Sequence, residues 1–313
     1  MGTNTFKADY FHSEAAARAW FEAALWPNGP ICPHCKGTAH HATKIAGRYR
    51  CKNKECRKDF TVTVNTVMER SHAKLTQWAV AFHMAASSKK GFSAHQLHRE
   101  LGCQYKTAWF LHHRVMEAMR EGNLDLPPLG GKGKIVEADE TYFGPVKDQR
   151  THAARGKYTK SGKTGPSNKR AIVSLVERGG KVRSFHVPRA DKATVSRIVM
   201  ENIARESRLH TDESKLYSGA DLFFLSHETV VHSKKEYARG DVHVNSAEGY
   251  FGVFKRGMRG VYQHCSEKHL HRYLAEFDFR YNRRASLGYT DEMRTLEAIK
   301  ASEGKRITYQ QPR

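Results

Sequence analysis

Four of the six cysteines in this 313-residue chain lie within a single 25-residue window. Cys32 and Cys35 form the first pair, and Cys51 and Cys56 form the second pair after fifteen intervening residues. Two thiol pairs separated by a hairpin-length segment suit a tetrahedral zinc ion, and a closed zinc shell stabilises modules too small for a core of their own. We therefore predict one structural Zn²⁺ held by these four cysteines in a reducing compartment.

The residues around the cysteines indicate a zinc ribbon preceded by a short helix. Residues 13–25 carry apolar side chains at helical spacing, and Ser13 is suited to cap the first turn. After the second pair, Phe60, Val62 and Val64 alternate with threonines, which predicts the closing strand of the ribbon. Residues 1–68 are expected to form this first domain.

The chain carries 53 Lys and Arg against 32 Asp and Glu, which gives a formal net charge of +21. This excess favours a polyanionic partner, nucleic acid first and an anionic membrane second, although charge also serves solubility. No apolar run approaches the roughly 20 residues that span a bilayer, and the first residues lack an apolar secretory segment. The expected location is the cytoplasm, in association with the nucleoid, and no membrane partner is predicted.

Residues 69–122 are predicted to form a helical DNA-binding region. Helical periodicity covers 74–86, 92–103 and 104–119, and the last two segments meet near Gly102. Two helices joined by a short glycine-containing turn are typical of a helix-turn-helix, whose second helix enters the major groove. An ordinary three-helix core is the alternative. The side chains predicted to face DNA are Gln104, Lys106, Trp109 and His113.

Three acidic signatures follow in chain order. Asp139 and Asp212 each follow an apolar stretch, and Glu248 opens an aromatic-rich helical segment. Carboxylates are ligands for hard divalent cations, and a pair of such ions activates a water or hydroxyl in phosphodiester cleavage. We predict that the three side chains converge and hold two Mg²⁺ or Mn²⁺ ions. Asn245 and Lys255 lie one turn before and two turns after Glu248, on the same helix face.

The order of the predicted elements indicates a mixed sheet with flanking helices after a linker at 123–133. The predicted strands are 134–140, 171–176, 182–187, 208–211 and 229–232, and the predicted helices are 191–206, 245–257 and 267–282. This order resembles the ribonuclease H-like fold, in which a mixed sheet places acidic residues at adjacent strand ends. The expected fold class is therefore multidomain α/β, with this domain at 134–285 and a C-terminal helix and basic tail at 286–313.

A basic loop is predicted inside the sheet domain, at 146–170. From position 147 onward it contains eight Lys or Arg, one Asp and three Gly, with no apolar periodicity. It is expected to clamp phosphate backbones, and a surface insertion without function is the alternative. The residues predicted to contact DNA outside the helical region are Lys157, Lys160, Lys163, Arg256 and Arg259.

Several motifs together carry a family resemblance. They are Cys32-Pro33-His34-Cys35, Ala138-Asp139-Glu140-Thr141-Tyr142-Phe143-Gly144, Thr211-Asp212, Asn245-Ser246-Ala247-Glu248 and Phe279-Arg280-Tyr281-Asn282-Arg283-Arg284. With these motifs, nearly the whole chain resembles DDE-type transposases of bacterial insertion sequences that carry an N-terminal zinc ribbon, relatives of the eukaryotic Merlin transposons. The resemblance implies catalytic roles for Asp139, Asp212 and Glu248, with Lys255 as the basic residue that follows. Some relatives use asparagine as the third member, so Asn245 remains an alternative third ligand.

The resemblance implies DNA transposition of the cut-and-paste or copy type. The ribbon and helix-turn-helix would bind terminal inverted repeats, and the catalytic domain would cleave the element ends and join the freed 3′-hydroxyls to target DNA. Because two ends must be held together, a dimer or larger assembly on DNA is expected. Two alternatives remain open: a non-catalytic DNA-binding protein derived from a transposase, and a nuclease of the same fold without strand transfer.

Overall fold

The computed structural model describes residues 5–121, 126–145 and 169–307. These residues fold as two compact units. The first contains the described residues up to Glu121 and those from Gly288 onward, and the second contains those between Gly122 and Leu287. The last helix of the chain thus belongs to the cysteine-rich unit, which its place in the sequence did not indicate.

The first unit combines a small antiparallel sheet with α-helices. Its helices are α1 Glu14–Leu25, α2 Leu75–Ser87, α3 Ala94–Leu101, α4 Tyr105–Met119 and, near the C-terminus, α8 Asp291–Lys300. Its strands are β1 His40–Ala42, β2 Tyr49–Cys51 and β3 Asp59–Phe60, in the order β1-β2-β3. The closing strand is shorter than predicted because the chain turns directly after Phe60, with the Val64 amide bonded to the Thr61 carbonyl.

Polar side chains explain where these helices begin. Ser13 and Ser93 accept backbone hydrogen bonds at the starts of α1 and α3, as expected of N-caps. At the start of α2 the acceptor comes from another helix, because the Glu14 carboxylate accepts the amides of Leu75 at 3.1 Å and Thr76 at 3.0 Å. This carboxylate ties α1 to α2.

Helix α8 packs mainly against α2. The Arg294 guanidinium donates from Nε to the Ala86 carbonyl at 2.9 Å. After α8, Lys305 Nζ donates to the Ala118 carbonyl near the end of α4 at 2.7 Å. These bonds to helix C-terminal carbonyls, which have no partner within their own helix, attach the C-terminal segment to the first unit.

The second unit is built around a mixed five-stranded sheet. Its strands are β4 Ile135–Pro145, β5 Lys169–Glu177, β6 Val182–Val187, β7 Arg208–Thr211 and β8 Ser226–Thr229. Their order is β6-β5-β4-β7-β8, with antiparallel pairing from β6 to β4 and parallel pairing from β4 to β8. Its helices are α5 Lys192–Asn202, α6 Asn245–Gly257 and α7 Leu270–Asn282.

Side chains of the central strand β4 alternate between the two faces of the sheet. Val136 and Ala138 are fully buried in an apolar cluster that includes Val195 of α5. Glu137 points to the other face, where its carboxylate accepts hydrogen bonds from the first turn of α6. Asp139 lies two residues further along β4 and therefore faces the α6 side as well.

The strand predicted at 229–232 is misplaced, because the observed strand lies three residues earlier in the chain. Strand β8 occupies Ser226–Thr229, and Val230 is buried with Val242 and Val244 in a separate small cluster. The apolar run that suggested a strand therefore marks burial in a loop region. Within the described residues, none of the helices is long and apolar enough to cross a lipid bilayer.

The predicted linker and basic loop also differ from the structure at their edges. In the linker 123–133, Leu129 is only 5% exposed, and its amide bonds to the Asn202 carbonyl at 2.8 Å. This part of the linker is therefore packed onto the second unit. The basic loop 146–170 lies outside the described residues up to position 168, and Lys169 and Arg170 already belong to β5.

Candidate metal centres and catalytic site

The four Sγ atoms of the cysteine pairs lie within 4.8 Å of one another. Cys32 Sγ and Cys56 Sγ are 3.7 Å apart, and Cys35 Sγ and Cys51 Sγ are 3.5 Å apart. In a tetrahedral site with Zn–S distances of about 2.3 Å, neighbouring sulfurs lie about 3.8 Å apart. The thiols therefore have the spacing of a zinc site, as the sequence predicts.

Two tight backbone turns present these thiols. In the first, Lys36 has a φ of +59° and its amide donates to the Cys32 carbonyl at 2.8 Å. In the second, Arg57 has a φ of +43° and its amide donates to the Asn53 carbonyl at 3.0 Å. Both turns place a left-handed residue directly after the second cysteine of a pair, so the two halves of the site are built alike.

The surroundings of the thiols favour a closed structural centre. A thiol must lose its proton to bind zinc. Hydrogen bonds, first from the backbone N–H of Gly37 and then from Cys51, lower the pKa of Cys35 to about 7. Backbone N–H groups oppose the shift at Cys51 and Cys56, but burial and the neighbouring thiols raise the pKa of both. Cys32 and Cys51 are 0% and 2% exposed, and Phe60 packs beside them. Four protein ligands complete a tetrahedral shell, which leaves no position for a substrate.

Asp139 lies on β4, and Asp212 directly follows the neighbouring strand β7 at the corresponding position. Strands β4 and β7 are parallel, with Glu137 opposite His210, and each aspartate follows its member of this pair by two residues in the chain. Each carboxylate accepts a backbone amide from its own segment, at 2.8 Å for Asp139 and 3.0 Å for Asp212. The pairing register thus brings two carboxylates from distant parts of the sequence to the same edge.

The carboxylate of Asp139 lies in an unfavourable environment for a negative charge. Burial first, and then repulsion from the carboxylates of Asp212, Glu140 and Glu248, raise the pKa of Asp139 to about 8. The backbone N–H of Glu140 opposes this shift. Mutual repulsion of this kind is relieved by a bound divalent cation, which favours the charged form of each ligand.

Glu248 lies in the first turn of α6 and is 51% exposed. Its Oε1 lies 3.6 Å from Nε2 of His232. Asn245 is the first residue of α6 and is also exposed. Both predicted alternatives for the third ligand therefore share one helix turn, close enough to Asp139 for the Glu248 charge to raise its pKa.

The acidic side chains are spaced more widely than the thiols. Among the described residues, the four cysteines are the only group of three or more His, Cys, Asp or Glu whose ligand atoms all lie within 4.8 Å. A pair of ions about 3.5–4 Å apart is held by carboxylates spread over a larger space than a single tetrahedron. The convergence of Asp139, Asp212 and Glu248 on two ions remains a prediction.

Basic side chains lie beside the acidic group. Burial lowers the pKa of Lys255, the charge of Asp139 raises it, and Arg259 and Lys169 lower it further by repulsion. Lys255 is therefore near Asp139, and it lies two turns after Glu248 on the same helix, as predicted. Arg259 lies in a π-helical turn, Met258–Tyr262, that continues α6. The side chains of Arg256 and Arg259 are both exposed.

The predicted DNA-contacting side chains of α4 fall into two groups. Gln104, Lys106 and Trp109 are exposed at the start of the helix, after the left-handed Gly102 that ends α3. The outward orientation predicted for His113 is wrong, because this residue is only 6% exposed. Helix α4 packs against α2, α3 and α8, so its residues are buried from Leu111 to Met119. Lys157, Lys160 and Lys163 lie outside the described residues.

Sequence reasoning assigned no partners to the glutamates on either side of Asp139. Glu137 is fully buried and accepts hydrogen bonds from the first turn of α6. Glu140, on the opposite face, accepts hydrogen bonds from Ser214 Oγ at 3.1 Å and the Tyr217 hydroxyl at 3.0 Å. Burial raises the pKa of Glu140, and the charge of Asp212 adds to the shift. Only the Glu-x-Asp-Glu spacing on one strand signals this arrangement in the sequence.

Comparisons with known proteins match transposase domains to parts of both units. A family model for the ISXO2-like transposase domain matches residues 128–282, and a model for a transposase zinc-ribbon domain matches residues 12–59. A curated relative from Halobacterium salinarum, described as an uncharacterized protein in transposable element ISH50, is 31% identical over 285 residues. The alignment covers 86% of this chain and 91% of the relative. This chain therefore belongs to the family of DDE-type insertion-sequence transposases with an N-terminal zinc ribbon.

Proposed function

We propose that this protein cleaves DNA at the ends of an insertion sequence and joins the freed 3′-hydroxyls to target DNA. The observation that carries the proposal is the electrostatic coupling of Asp139 to Asp212 and Glu248 in a transposase-family domain. A buried aspartate that is repelled by neighbouring carboxylates and lies near basic side chains is suited to hold divalent cations against a phosphodiester. The sheet unit acts in this proposal as a ribonuclease H-like catalytic domain.

Asp139 and Asp212 are the residues proposed to bind two Mg²⁺ or Mn²⁺ ions, and Glu248 completes the ligand set, with Asn245 as the alternative. Such a pair of ions activates the attacking water or hydroxyl and stabilises the leaving oxygen. Lys255 has its ammonium group near Asp139 and offers a positive charge to the scissile phosphate.

DNA binding is assigned mainly to the first unit. The zinc ribbon and the α3–α4 pair, acting as a helix-turn-helix, bind the terminal inverted repeats, with base contacts from the exposed start of α4. Lys157, Lys160, Lys163, Arg256 and Arg259 are proposed to contact phosphates, which fits the net charge of +21. A dimer or larger assembly on DNA follows from the need to hold two element ends together.

A plasmid assay tests this function. Donor plasmid carrying the element ends, target DNA and Mg²⁺ are incubated with the protein, and joined donor–target molecules are measured. We expect joined products from the wild type and none from Asp139→Ala or Asp212→Ala, because either change removes a proposed metal ligand. Both variants should bind the element ends in a gel-shift assay as the wild type does.

The same assay separates the rival functions. Nicked donor without joined products would indicate a nuclease without strand transfer. End binding without any cleavage would indicate a DNA-binding protein without catalysis. Full joining activity in Asp139→Ala would remove the catalytic assignment.

A further inference from the structure

The buried carboxylate of Glu137 joins the strand that carries Asp139 to the helix that carries Glu248. Glu137 is 0% exposed. Its Oε2 accepts the backbone amides of Ser246 at 2.7 Å and Ala247 at 3.1 Å. Its Oε1 accepts the Ser246 hydroxyl at 3.0 Å and Nε of Arg178 at 2.9 Å. Both oxygens are thus fully used by protein donors, so Glu137 is not itself a metal ligand.

Helix α6 depends on this carboxylate because it has no cap of its own. The residue before the helix is Val244, whose side chain offers no acceptor to the first amides. A negative charge at a helix N-terminus also interacts favourably with the helix dipole. Glu137 therefore fixes where α6 starts and how its first turn is rotated, and Glu248 follows Ala247 directly in that turn.

Arg178 fixes the segment that leads into α6. Its guanidinium bonds to Glu137 and also donates to the backbone carbonyls of Asp241 at 2.7 Å and His243 at 3.1 Å. The ion pair between the partly exposed Arg178 and the buried Glu137 thus attaches both the approach to α6 and its first turn to β4. Glu137 and Asp139 are two residues apart on β4, and the Glu137 side chain bonds directly to the helix turn that carries Glu248. The Glu137 side chain therefore sets the separation of Asp139 and Glu248.

We infer that Glu137, supported by Arg178, is a positioning residue that holds Glu248 at its working distance from Asp139. The inference rests on the proposed function, in which Asp139 and Glu248 share divalent cations. It assigns to Glu137 a role in metal affinity that is separate from its contribution to folding. Residues that orient ligands without touching the metal commonly change metal affinity or activity by about 10–100-fold when they are replaced.

Binding of Mn²⁺ to the full-length, zinc-loaded protein tests the inference. Free Mn²⁺ is followed by electron paramagnetic resonance during a titration, which needs no DNA and no turnover. We expect Glu137→Ala to weaken Mn²⁺ binding by at least about tenfold. Glu137→Gln, which keeps one acceptor oxygen for the helix amides but places an amide N–H₂ against Arg178, should weaken binding by a smaller factor.

Glu276→Gln is the matched control. Glu276 is another glutamate of the second unit with 0% exposure, and it is paired with Arg280 and the Tyr262 hydroxyl. This change should lower the melting temperature and leave Mn²⁺ affinity at the wild-type value. In a Glu248→Gln background, Glu137→Ala should cause little further loss of affinity, because its effect passes through Glu248.

The outcomes separate this inference from the proposed function. If Asp139→Asn loses Mn²⁺ binding while Glu137→Ala binds like the wild type, the positioning role is overturned and the metal site stands. If Asp139→Asn binds Mn²⁺ like the wild type, the proposed metal site itself fails. Should Glu137→Ala not fold, Glu137→Gln decides, and wild-type affinity in that variant overturns the role.

Discussion

The two metal centres inferred for this chain differ in how their ligands are brought together. The four cysteines come from one 25-residue window, and two backbone turns of the same design close the site locally. Asp139 comes from a strand, Asp212 from the residue after the neighbouring strand and Glu248 from a helix, and together they span 110 residues of the sequence. The thiols already have the spacing of a tetrahedral zinc site, whereas the carboxylates are wider apart and the other two repel the charge of Asp139.

The two centres differ in which residues position their ligands. The zinc centre is positioned by the residues next to its ligands and is shielded by apolar side chains. The acidic centre is positioned by groups that are not ligands, with Glu137 attached to α6 and Glu140 attached to the segment after Asp212. The cysteine centre is thus specified locally, whereas the acidic centre depends on long-range hydrogen bonds.

The largest effect is expected at the zinc centre. Cys51→Ser should abolish zinc binding and unfold the ribbon, because structural zinc sites in small modules have apparent binding free energies of about 10–16 kcal/mol. Elemental analysis should find about one zinc per wild-type chain, and proteolysis should show loss of protection at 12–59 in the variant. Cys103→Ser, outside the cluster, is the control and should retain zinc. Wild-type zinc content in Cys51→Ser would contradict the four-cysteine site.

At the acidic centre, removing a charge should have the opposite effect on stability. In magnesium-free buffer, Asp139→Asn should raise the free energy of unfolding by about 1–3 kcal/mol at pH 8, because it removes a carboxyl whose pKa is raised by burial and repulsion. The stability and the strand-transfer activity of this variant should therefore change in opposite directions.

The pH dependence of the free energy of unfolding tests the sign of this effect. The Asp139 carboxyl has a pKa of about 3.9 in the unfolded chain and about 8 in the folded protein. Between these pH values its ionisation favours the unfolded state, so the free energy of unfolding falls as the pH rises. Urea unfolding between pH 5.5 and 8.5 should show a falling wild-type stability that is less steep in Asp139→Asn. Asp221→Asn, at an exposed position of the same unit, should keep the wild-type slope. An equal slope in Asp139→Asn would disprove the raised pKa.

A smaller effect is expected from a helix cap that serves no metal site. Glu14→Ala removes the carboxylate that caps α2 and should cost about 1–2 kcal/mol of stability. Burial raises the pKa of Glu14, but hydrogen bonds from Thr76 and Leu75 outweigh it and lower the pKa overall. The contribution is therefore fully present above the unfolded pKa of about 4.3 and is lost as the pH falls through the lower folded pKa.

Thermal unfolding of Glu14→Ala at pH 7 and near pH 3 measures this contribution, with exposed Glu55→Ala as the control. The difference between Glu14→Ala and wild type should shrink at the lower pH, while Mn²⁺ binding stays unchanged at pH 7. A loss of Mn²⁺ affinity in Glu14→Ala would mean that caps affect metal binding through general stability, which would weaken the specific role inferred for Glu137.

Local patterns in the sequence predicted much of the architecture. The predicted bounds of β6, β7 and α6 match the structure, and the cysteine spacing predicted the thiol cluster. These features depend on neighbouring residues, where periodicity and ligand spacing are direct physical signals. The strand expected at 229–232 was misplaced because β8 ends at Thr229, and the apolar Val230 is buried in a small cluster with Val242 and Val244.

Long-range packing could not be predicted in the same way. The return of α8 to the first unit depends on bonds such as the one from Arg294 to the Ala86 carbonyl, between residues 208 positions apart. His113 lies on the helix face predicted to meet DNA, yet the packing of α2, α3 and α8 around α4 buries it. The partners of Glu137 and Glu140 are equally distant in sequence, so only their spacing around Asp139 was visible.

Anomalous diffraction from a crystal of the protein with its DNA ends and Mn²⁺ tests the central claim most directly. The account predicts manganese peaks in contact with the carboxylate oxygens of both Asp139 and Asp212, and with Glu248 or Asn245 as the third ligand. Bound manganese away from these residues, or none beside Asp139 and Asp212 at a saturating Mn²⁺ concentration, would contradict it.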